Sequence, residues 1–139
     1  MPKVSSTTEL PVPAQAVWSV IGNFNGLPDW HPAVQKSESK SEGGTTLRTV
    51  TLMGGGTIEE KLEEIDEHER LYTYSILSSP LPVANYTATL RVREAESGGC
   101  TVEWSSEFDA SGATENTAIE QISQVYEAGF ENLKRMFGG

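Results

Sequence analysis

Residues 22–32 read Gly-Asn-Phe-Asn-Gly-Leu-Pro-Asp-Trp-His-Pro and follow directly after a short amphipathic segment. We call them the proline turn. Pro28 and Pro32 fix their own φ angles and push the residue before each of them toward extended geometry. Trp30 and His31 therefore have little freedom in direction. Because a tryptophan held in a rigid turn usually faces something, we expect these two rings to lie against another part of the fold.

Composition limits the class of protein. The chain has 139 residues, of which 37% are hydrophobic, and this suits a single domain, 1–139, that buries a real core. A net charge of −10 argues against a nucleic-acid partner or an anionic membrane surface, since both would repel the protein. Neutral or cationic small molecules remain open.

The apolar runs, the single cysteine and the position of His68 indicate the localisation of the protein and whether it binds a metal. The N-terminus lacks the apolar run of a signal peptide, and no stretch of about 18 apolar residues is present, so we expect no membrane insertion. Cys100 is the only cysteine, which excludes an intramolecular disulfide and a thiolate metal cluster. His68 lies in an acidic turn without metal-ligand spacing. We predict a cytoplasmic protein with no metal and no cofactor.

The rest of the chain predicts seven strands and two helices. Pro13 suits the first turn of a short helix that runs to about Asn23. Thr117 and Glu120 have the spacing of a capping box near the start of a long helix, and Gly138-Gly139 close it. The predicted strands are 3–10, 33–40, 46–52, 57–65, 70–77, 86–95 and 100–109, and the long helix is 114–137. This order indicates an α+β fold whose antiparallel meander wraps one helix and leaves a hollow.

Several motifs carry a resemblance to a known superfamily. They are Pro-Ala-Gln-Ala-Val-Trp at 13–18, Gly-Asn-Phe at 22–24, Leu-Pro-Asp-Trp-His-Pro at 27–32, Gly-Thr-Ile-Glu-Glu at 56–60, Tyr-Thr-Tyr-Ser at 72–75 and Pro-Val-Ala-Asn-Tyr at 82–86. With the element order, they resemble the START-like superfamily, which includes the Bet v 1 proteins, and most closely its bacterial polyketide cyclase/dehydrase-like group.

The resemblance covers essentially the whole chain and implies a helix-grip fold. In that fold, a seven-stranded antiparallel curved sheet wraps a long C-terminal helix, with two short helices after the first strand. The superfamily contains lipid carriers, hormone receptors and cyclases, so the resemblance does not fix an activity.

Glu60 is the carboxylate whose position matters most. Alternation along its strand places it on the same face as Ile58 and Leu62, where it needs a partner or a raised pKa. Arg48 is the candidate partner. A three-residue loop before Gly56 pairs Leu52 with Ile58 and turns Arg48 inward, whereas a four-residue loop turns Thr49 and Thr51 inward instead. Glu60 on a solvated acidic edge is the other open interpretation.

Aromatic residues predict the walls of the hollow. Tyr72 and Tyr74 share one strand face, and Tyr86 and Trp104 lie on the inward faces of later strands. Tyrosine combines an apolar ring with a hydroxyl, which suits a mostly apolar ligand with a few oxygen groups, although a packed core explains the same pattern. The candidate ligand-binding residues are Trp30, His31, Arg48, Glu60, Tyr72, Tyr74, Tyr86, Trp104 and Phe130. Residues 78–85 are apolar enough to form a lid or a dimer contact.

Three functions fit this sequence. The first is binding of a small hydrophobic or aromatic, lipid-like or polyketide-like molecule by a monomer or homodimer. The second is a polyketide cyclase or dehydratase in which His31 or Glu60 transfers protons, although a lone histidine in a turn is more often structural. The third is a protein-interaction module or homodimer whose cavity is filled.

Overall fold

The computed structural model describes residues 2–138, in which seven strands form one antiparallel sheet around a long helix. The strands are β1 (Lys3–Leu10), β2 (Val34–Glu42), β3 (Thr45–Leu52), β4 (Thr57–Asp66), β5 (Leu71–Ser78), β6 (Val83–Glu94) and β7 (Cys100–Ala110). The helices are α1 (Ala14–Ile21), a 3-10 helix (Leu27–Asp29) and α2 (Glu115–Phe137). These elements confirm the predicted helix-grip fold.

The sheet order is β1-β7-β6-β5-β4-β3-β2, so the first strand pairs with the last. Helix α2 packs against β1 and β7. Alternation explains which side chains face it. Along β7, for example, Val102, Trp104, Ser106 and Phe108 are buried, while Glu103, Ser105 and Glu107 are more exposed. The core therefore lies between the inner face of the sheet and the apolar stripe of α2.

The turn between β3 and β4 sets the register of both strands. Leu52 donates its backbone N–H to the Gly56 carbonyl at 3.0 Å, which leaves three residues in the loop. Gly54, Gly55 and Gly56 have φ values of 87°, 103° and 95°, a region that only glycine enters at little cost.

This register corrects one predicted pairing. Ile58 lies opposite Val50 and not opposite Leu52, because the loop closes at Gly56. The inward direction predicted for the three-residue loop still holds, since Arg48 and Val50 are both buried. Arg48 lies directly opposite Glu60.

The start of β6 also differs from the prediction. The strand begins at Val83, three residues before the predicted start at 86. The predicted apolar loop 78–85 is therefore shorter, since Ser78 ends β5 and Val83 already pairs with Ala110 of β7. Only residues 79–82 connect the two strands.

Helix α2 starts with a cap different from the one predicted. The Thr114 side chain accepts a hydrogen bond from the Thr117 N–H at 3.2 Å, so Thr114 is the N-cap and the proposed cap at Thr117 is wrong. Thr117 is instead the third helical residue, whose N–H is one of those that a cap satisfies. Gly138 closes the helix at a φ of 76°. Gly139 lies outside the described residues.

No helix within residues 2–138 is long and apolar enough to cross a membrane.

Candidate functional site

A cavity of about 200 Å³ lies between the inner face of the sheet and α2. Its walls are mainly aliphatic, with Leu27, Val34, Val50, Ile58, Ile76, Ile122 and Val125 among the lining residues. Ala33 and Met53 also line it and are exposed, so the cavity reaches the surface between the start of β2 and the β3–β4 turn. We call this the loop-end opening.

An ion pair lies in the cavity wall. Arg48 Nε donates to Glu60 Oε1 at 2.6 Å, and the two residues are only 2% and 5% exposed. Arg48 also donates through Nη1 to the backbone carbonyl of Phe24. The hydrogen bond within the ion pair is made to Oε1 of Glu60. The interpretation of Glu60 as part of a solvated acidic edge is wrong.

Aromatic rings surround the guanidinium. Its central carbon lies 4.0 Å from the centroid of the Phe24 ring and 5.2 Å from that of Tyr74, so cation–π attraction adds to the ion pair. Burial acts most strongly and lowers the pKa of Arg48, but the Glu60 carboxylate together with Tyr72 and Tyr74 outweighs it and the pKa is raised. Burial raises the pKa of Glu60, and the Arg48 guanidinium opposes that shift. The guanidinium of Arg48 therefore remains charged.

Three tyrosine hydroxyls form a buried chain beside the ion pair. The Tyr74 and Tyr86 hydroxyls are 3.3 Å apart, and those of Tyr86 and Tyr126 are 2.5 Å apart. Trp104 Nε1 donates to the Tyr74 hydroxyl at 3.1 Å, and its ring stacks on Tyr126 with centroids 4.2 Å apart. Burial raises the pKa of all three tyrosines. They are therefore neutral hydrogen-bonding groups at physiological pH.

Both ring nitrogens of His31 are in use. Nε2 donates to the Val125 carbonyl at 2.8 Å, and Nδ1 accepts from the Ala33 N–H at 3.2 Å. These partners require the neutral imidazole with its proton on Nε2. Burial lowers the pKa of His31, and the hydrogen bond to Val125 acts in the opposite direction. The geometry gives His31 a docking role and leaves neither nitrogen free for proton transfer.

The proline turn docks on α2 where the helix has no side chain. A Cβ atom at Gly129 would lie 2.9 Å from both His31 Cδ2 and Trp30 Cζ3. The absent Cβ also exposes the Val125 carbonyl, one helical turn earlier, to the imidazole. Asn132 Nδ2 donates to the Trp30 carbonyl at 2.9 Å one turn later. Trp30 and His31 therefore face α2, as the rigidity of the turn leads one to expect.

The structure separates the predicted ligand-binding residues into two groups. His31, Arg48, Glu60, Tyr74, Tyr86 and Trp104 line the cavity. Trp30, Tyr72 and Phe130 do not, because other rings cover them: Trp30 and Phe130 lie against Trp104, and Tyr72 lies against Phe24 and Tyr74. These three belong to the core beside the cavity.

Sequence reasoning missed several contributors to the site. Tyr126 completes the hydroxyl chain, and its one signal was a polar group within the apolar stripe of α2. Val125 lines the cavity without any signal beyond hydrophobicity, whereas alternation along β5 places Ile76 on the same face as Tyr74. Among residues 2–138, no three His, Cys, Asp or Glu side chains are arranged to hold a metal ion.

Comparisons with known proteins place this geometry in context. The model of a family described as "Polyketide cyclase / dehydrase and lipid transport" matches residues 1–138. An uncharacterised protein from Bacillus thuringiensis has a solved structure that is 37% identical with a TM-score of 0.92, covering 99% of this chain and 100% of that one. XoxI from Bacillus cereus is 38% identical with a TM-score of 0.93, covering 99% and 96%.

A more distant structure shows the fold alone. The Zhui aromatase/cyclase from Streptomyces sp. R1128 is 20% identical with a TM-score of 0.69, covering 94% of this chain and 84% of that one. A comparison with the curated proteins found no match.

Proposed function

Because the chain belongs to the polyketide cyclase/dehydrase and lipid transport family, we propose that it binds a small, mainly apolar molecule with an oxygen group inside the cavity. The observation that carries this proposal is a buried ion pair in the wall of an otherwise apolar space. Arg48 and Glu60 are held by their own partners, so they present a fixed polar end to a ligand. A few fixed polar groups in an apolar pocket are typical of small-molecule sites.

The chemistry of Arg48 and Glu60 defines which ligand group the polar end of the cavity binds. The Glu60 carboxylate, when ionised, accepts a hydrogen bond from a ligand hydroxyl, and Tyr74 also lines the cavity. An anionic ligand is disfavoured because Glu60 already neutralises the guanidinium. A neutral phenol or alcohol therefore suits this site best.

Cavity volume limits the size of the ligand. The space of about 200 Å³ is smaller than the roughly 300–1,000 Å³ of drug-sized sites and larger than the roughly 150 Å³ that holds benzene in an engineered cavity. One ring or two fused rings fit this volume. A sterol does not.

The direct test compares 2-naphthol with cholesterol in a thermal-shift and fluorescence titration. We expect 2-naphthol to raise the Tm by mass action and to change the emission of Trp104, which lines the cavity. Cholesterol serves as the size control and should leave both signals unchanged. A flat response to 2-naphthol in both measurements would contradict the proposal. A mass spectrum of molecules that co-purify with the protein then identifies the natural ligand.

A cyclase or dehydratase activity is the second candidate, and Glu60 is the observation that favours it. A carboxyl group whose pKa is raised by burial, in the wall of a ligand cavity, is suited to act as a proton donor or acceptor toward a bound molecule. His31 is a weaker candidate, since both its nitrogens are engaged. The third interpretation, an interaction module with a filled cavity, gains no support from a cavity that is open.

Turnover separates binding from catalysis. Glu60→Gln keeps the shape of the side chain and removes the titrating proton, so under the enzyme hypothesis it lowers kcat by more than it weakens ligand binding. His31→Gln is the comparison variant and should affect mainly stability. Equal turnover in Glu60→Gln and the wild type would remove Glu60 from the chemistry.

A further inference from the structure

Strands β5 and β6 separate before they end. They pair only where Leu71–Ser75 lies opposite 87–91. Beyond that point, β5 continues with β4, where Ile76 pairs with Glu60, and β6 starts with β7, where Ala84 pairs with Asp109. The last part of β5 and the first part of β6 are thus each paired with a neighbouring strand on one side only.

Local irregularities hold the two strands apart. Strand β6 has a bulge between Ala84 and Thr87, with Asn85 in a left-handed conformation at a φ of 54°. The Asn85 side chain donates to Asp109 at 2.9 Å, which fixes the bulge to β7 on the side away from β5. The pairing of β4 with β5 also shifts register between Glu59 and Glu60, because β5 has one extra residue, Leu77, between the partners Ile76 and Ser78. A bulge bends a strand and ends regular pairing.

A notch of about 380 Å³ occupies the separation. Leu77, Ser78 and Asn85 line it and are exposed, so it opens to solvent. Ile76 and Tyr86 line both this notch and the internal cavity. The two spaces therefore adjoin each other at these two residues.

The two shared residues are held very differently. Tyr86 is 3% exposed, its hydroxyl bonds to two other tyrosines, and its ring stacks on Phe108. Ile76 is only partly buried and has no polar group to hold it. A rotamer change of an aliphatic side chain is fast on the timescale of ligand binding. Ile76 is thus the side chain that can move.

We propose that ligands reach the cavity through the split between β5 and β6, with Ile76 as the gate and Tyr86 as its fixed side. This inference rests on the proposed ligand-binding function. It assigns Ile76 a role in the rate and the size limit of binding, distinct from the polar recognition by Arg48 and Glu60. The competing route is the loop-end opening beside Ala33 and Met53.

Stopped-flow binding of 2-naphthol distinguishes the routes. Ser78→Phe adds bulk in the notch without touching the cavity, since Ser78 lines only the notch. We expect it to slow association and dissociation together by about tenfold, with Kd unchanged, because it acts on the path and not on the bound state. Met53→Phe adds the same ring at the loop-end opening. Greater slowing by Ser78→Phe than by Met53→Phe supports the split.

Three outcomes overturn the proposal in distinguishable ways. If Met53→Phe slows binding as much as Ser78→Phe or more, or if neither slows it, the route through the split is wrong while ligand binding stands. If the wild type does not bind 2-naphthol, the proposed function fails and the route fails with it. Should Ser78→Phe not fold, Ile76→Val replaces it and must speed both rate constants, since it trims the gate; unchanged rates in that variant contradict the proposal.

Discussion

Arg48 and Glu60 depend on each other because both are buried. Two charges removed from water cost free energy, and the pair is tolerated only while each charge has its partner. The Phe24 carbonyl and ring provide further contacts to the guanidinium. At the scale of single residues, the Arg48–Glu60 pair contributes both to the stability of the fold and to the proposed recognition of a ligand.

Removing one member of the pair tests this dependence. We expect Arg48→Met to lower the free energy of unfolding by about 3–5 kcal/mol, because it leaves Glu60 buried without a partner. The double variant Arg48→Met/Glu60→Leu should recover most of that loss. Urea denaturation measures both. Lys3→Met breaks the exposed Lys3–Glu107 pair and is the control, with an expected change in the free energy of unfolding of less than about 1 kcal/mol. An equal loss in Arg48→Met and Lys3→Met would contradict the proposed dependence of the buried pair.

His31 predicts a dependence of stability on pH. Its pKa is lowered in the folded state from the ordinary value of 6.5, so the unfolded chain takes up a proton that the folded chain refuses. Stability from this residue is full above the unfolded pKa and is lost as pH falls through the folded one. Glu60, whose pKa is raised, acts in the opposite direction as pH rises.

A comparison with His31→Gln isolates the histidine. We expect the free energy of unfolding of the wild type to fall, relative to that of the variant, by up to about 1.4 kcal/mol per pH unit below about pH 6.5. Chemical denaturation at several pH values measures this difference. NMR titration of the imidazole signal that is absent in His31→Gln provides a second readout. Parallel curves for the two proteins would show that His31 does not titrate differently on folding.

Helix α2 has a regular stripe of buried apolar residues that is interrupted by one glycine. Ile122, Tyr126, Phe130 and Leu133 bury the stripe, and Gly129 receives the proline turn. In an isolated helix, glycine costs about 1 kcal/mol relative to alanine. In the folded protein the contact with the proline turn reverses that preference, because the rings of Trp30 and His31 lie too close to leave room for a Cβ atom at Gly129.

Gly129→Ala should therefore destabilise the protein in spite of its better helix propensity. Overpacking of a core costs about 1–3 kcal/mol, and displacement of the turn would also break the bond from His31 to Val125. Thermal unfolding measures the loss. Glu127→Ala, on the exposed side of α2, is the control for propensity alone. A variant as stable as the wild type would show that the turn accommodates the methyl group.

The two sheet regions differ in regularity for a physical reason. Strands β6 and β7 pair over most of their length, whereas β5 and β6 part early. Continuous pairing closes the sheet against solvent, and the extra residues in β5 and β6 interrupt the pairing beside the cavity. These two irregularities adjoin Ile76 and Tyr86, which line the site.

At the scale of the whole molecule, the cavity is space that a packed core would fill. Unfilled volume removes contacts from its lining and lowers stability. Its retention between the sheet and α2 is consistent with a requirement for binding and not for folding. A substitution that fills the cavity should therefore weaken ligand binding without weakening the fold.

Val125→Phe places a larger side chain into the cavity from α2. We expect the affinity for 2-naphthol to fall by about tenfold or more, equal to about 1.4 kcal/mol, while the Tm is kept or raised. Fluorescence titration and thermal unfolding give the two numbers. Gln124→Phe adds the same ring on the exposed face and is the matched control. Retained affinity in Val125→Phe would place the ligand elsewhere.

Local patterns in the sequence were sufficient for most of the fold. Alternation of apolar residues identified the strands and their inner faces, and the three-and-four spacing identified α2, because these periods follow from backbone geometry. The rigidity of the proline turn also indicated that Trp30 and His31 face another element. Boundaries set by specific hydrogen bonds, such as the cap at Thr114, were less accessible.

The sequence by itself therefore determined which residues share a face of a strand or helix, since the direction of a side chain depends on its own element, but it left open which face of β3 points inward. Tertiary structure alone decided whether an inward residue lines the cavity, as Tyr74 does, or is covered by other rings, as Tyr72 and Trp30 are. It also decided that Arg48 meets Glu60, because the β3–β4 turn sets the register, and that His31 reaches Val125, because Gly129 leaves room. Each of these depends on how distant elements pack together, which no local period encodes.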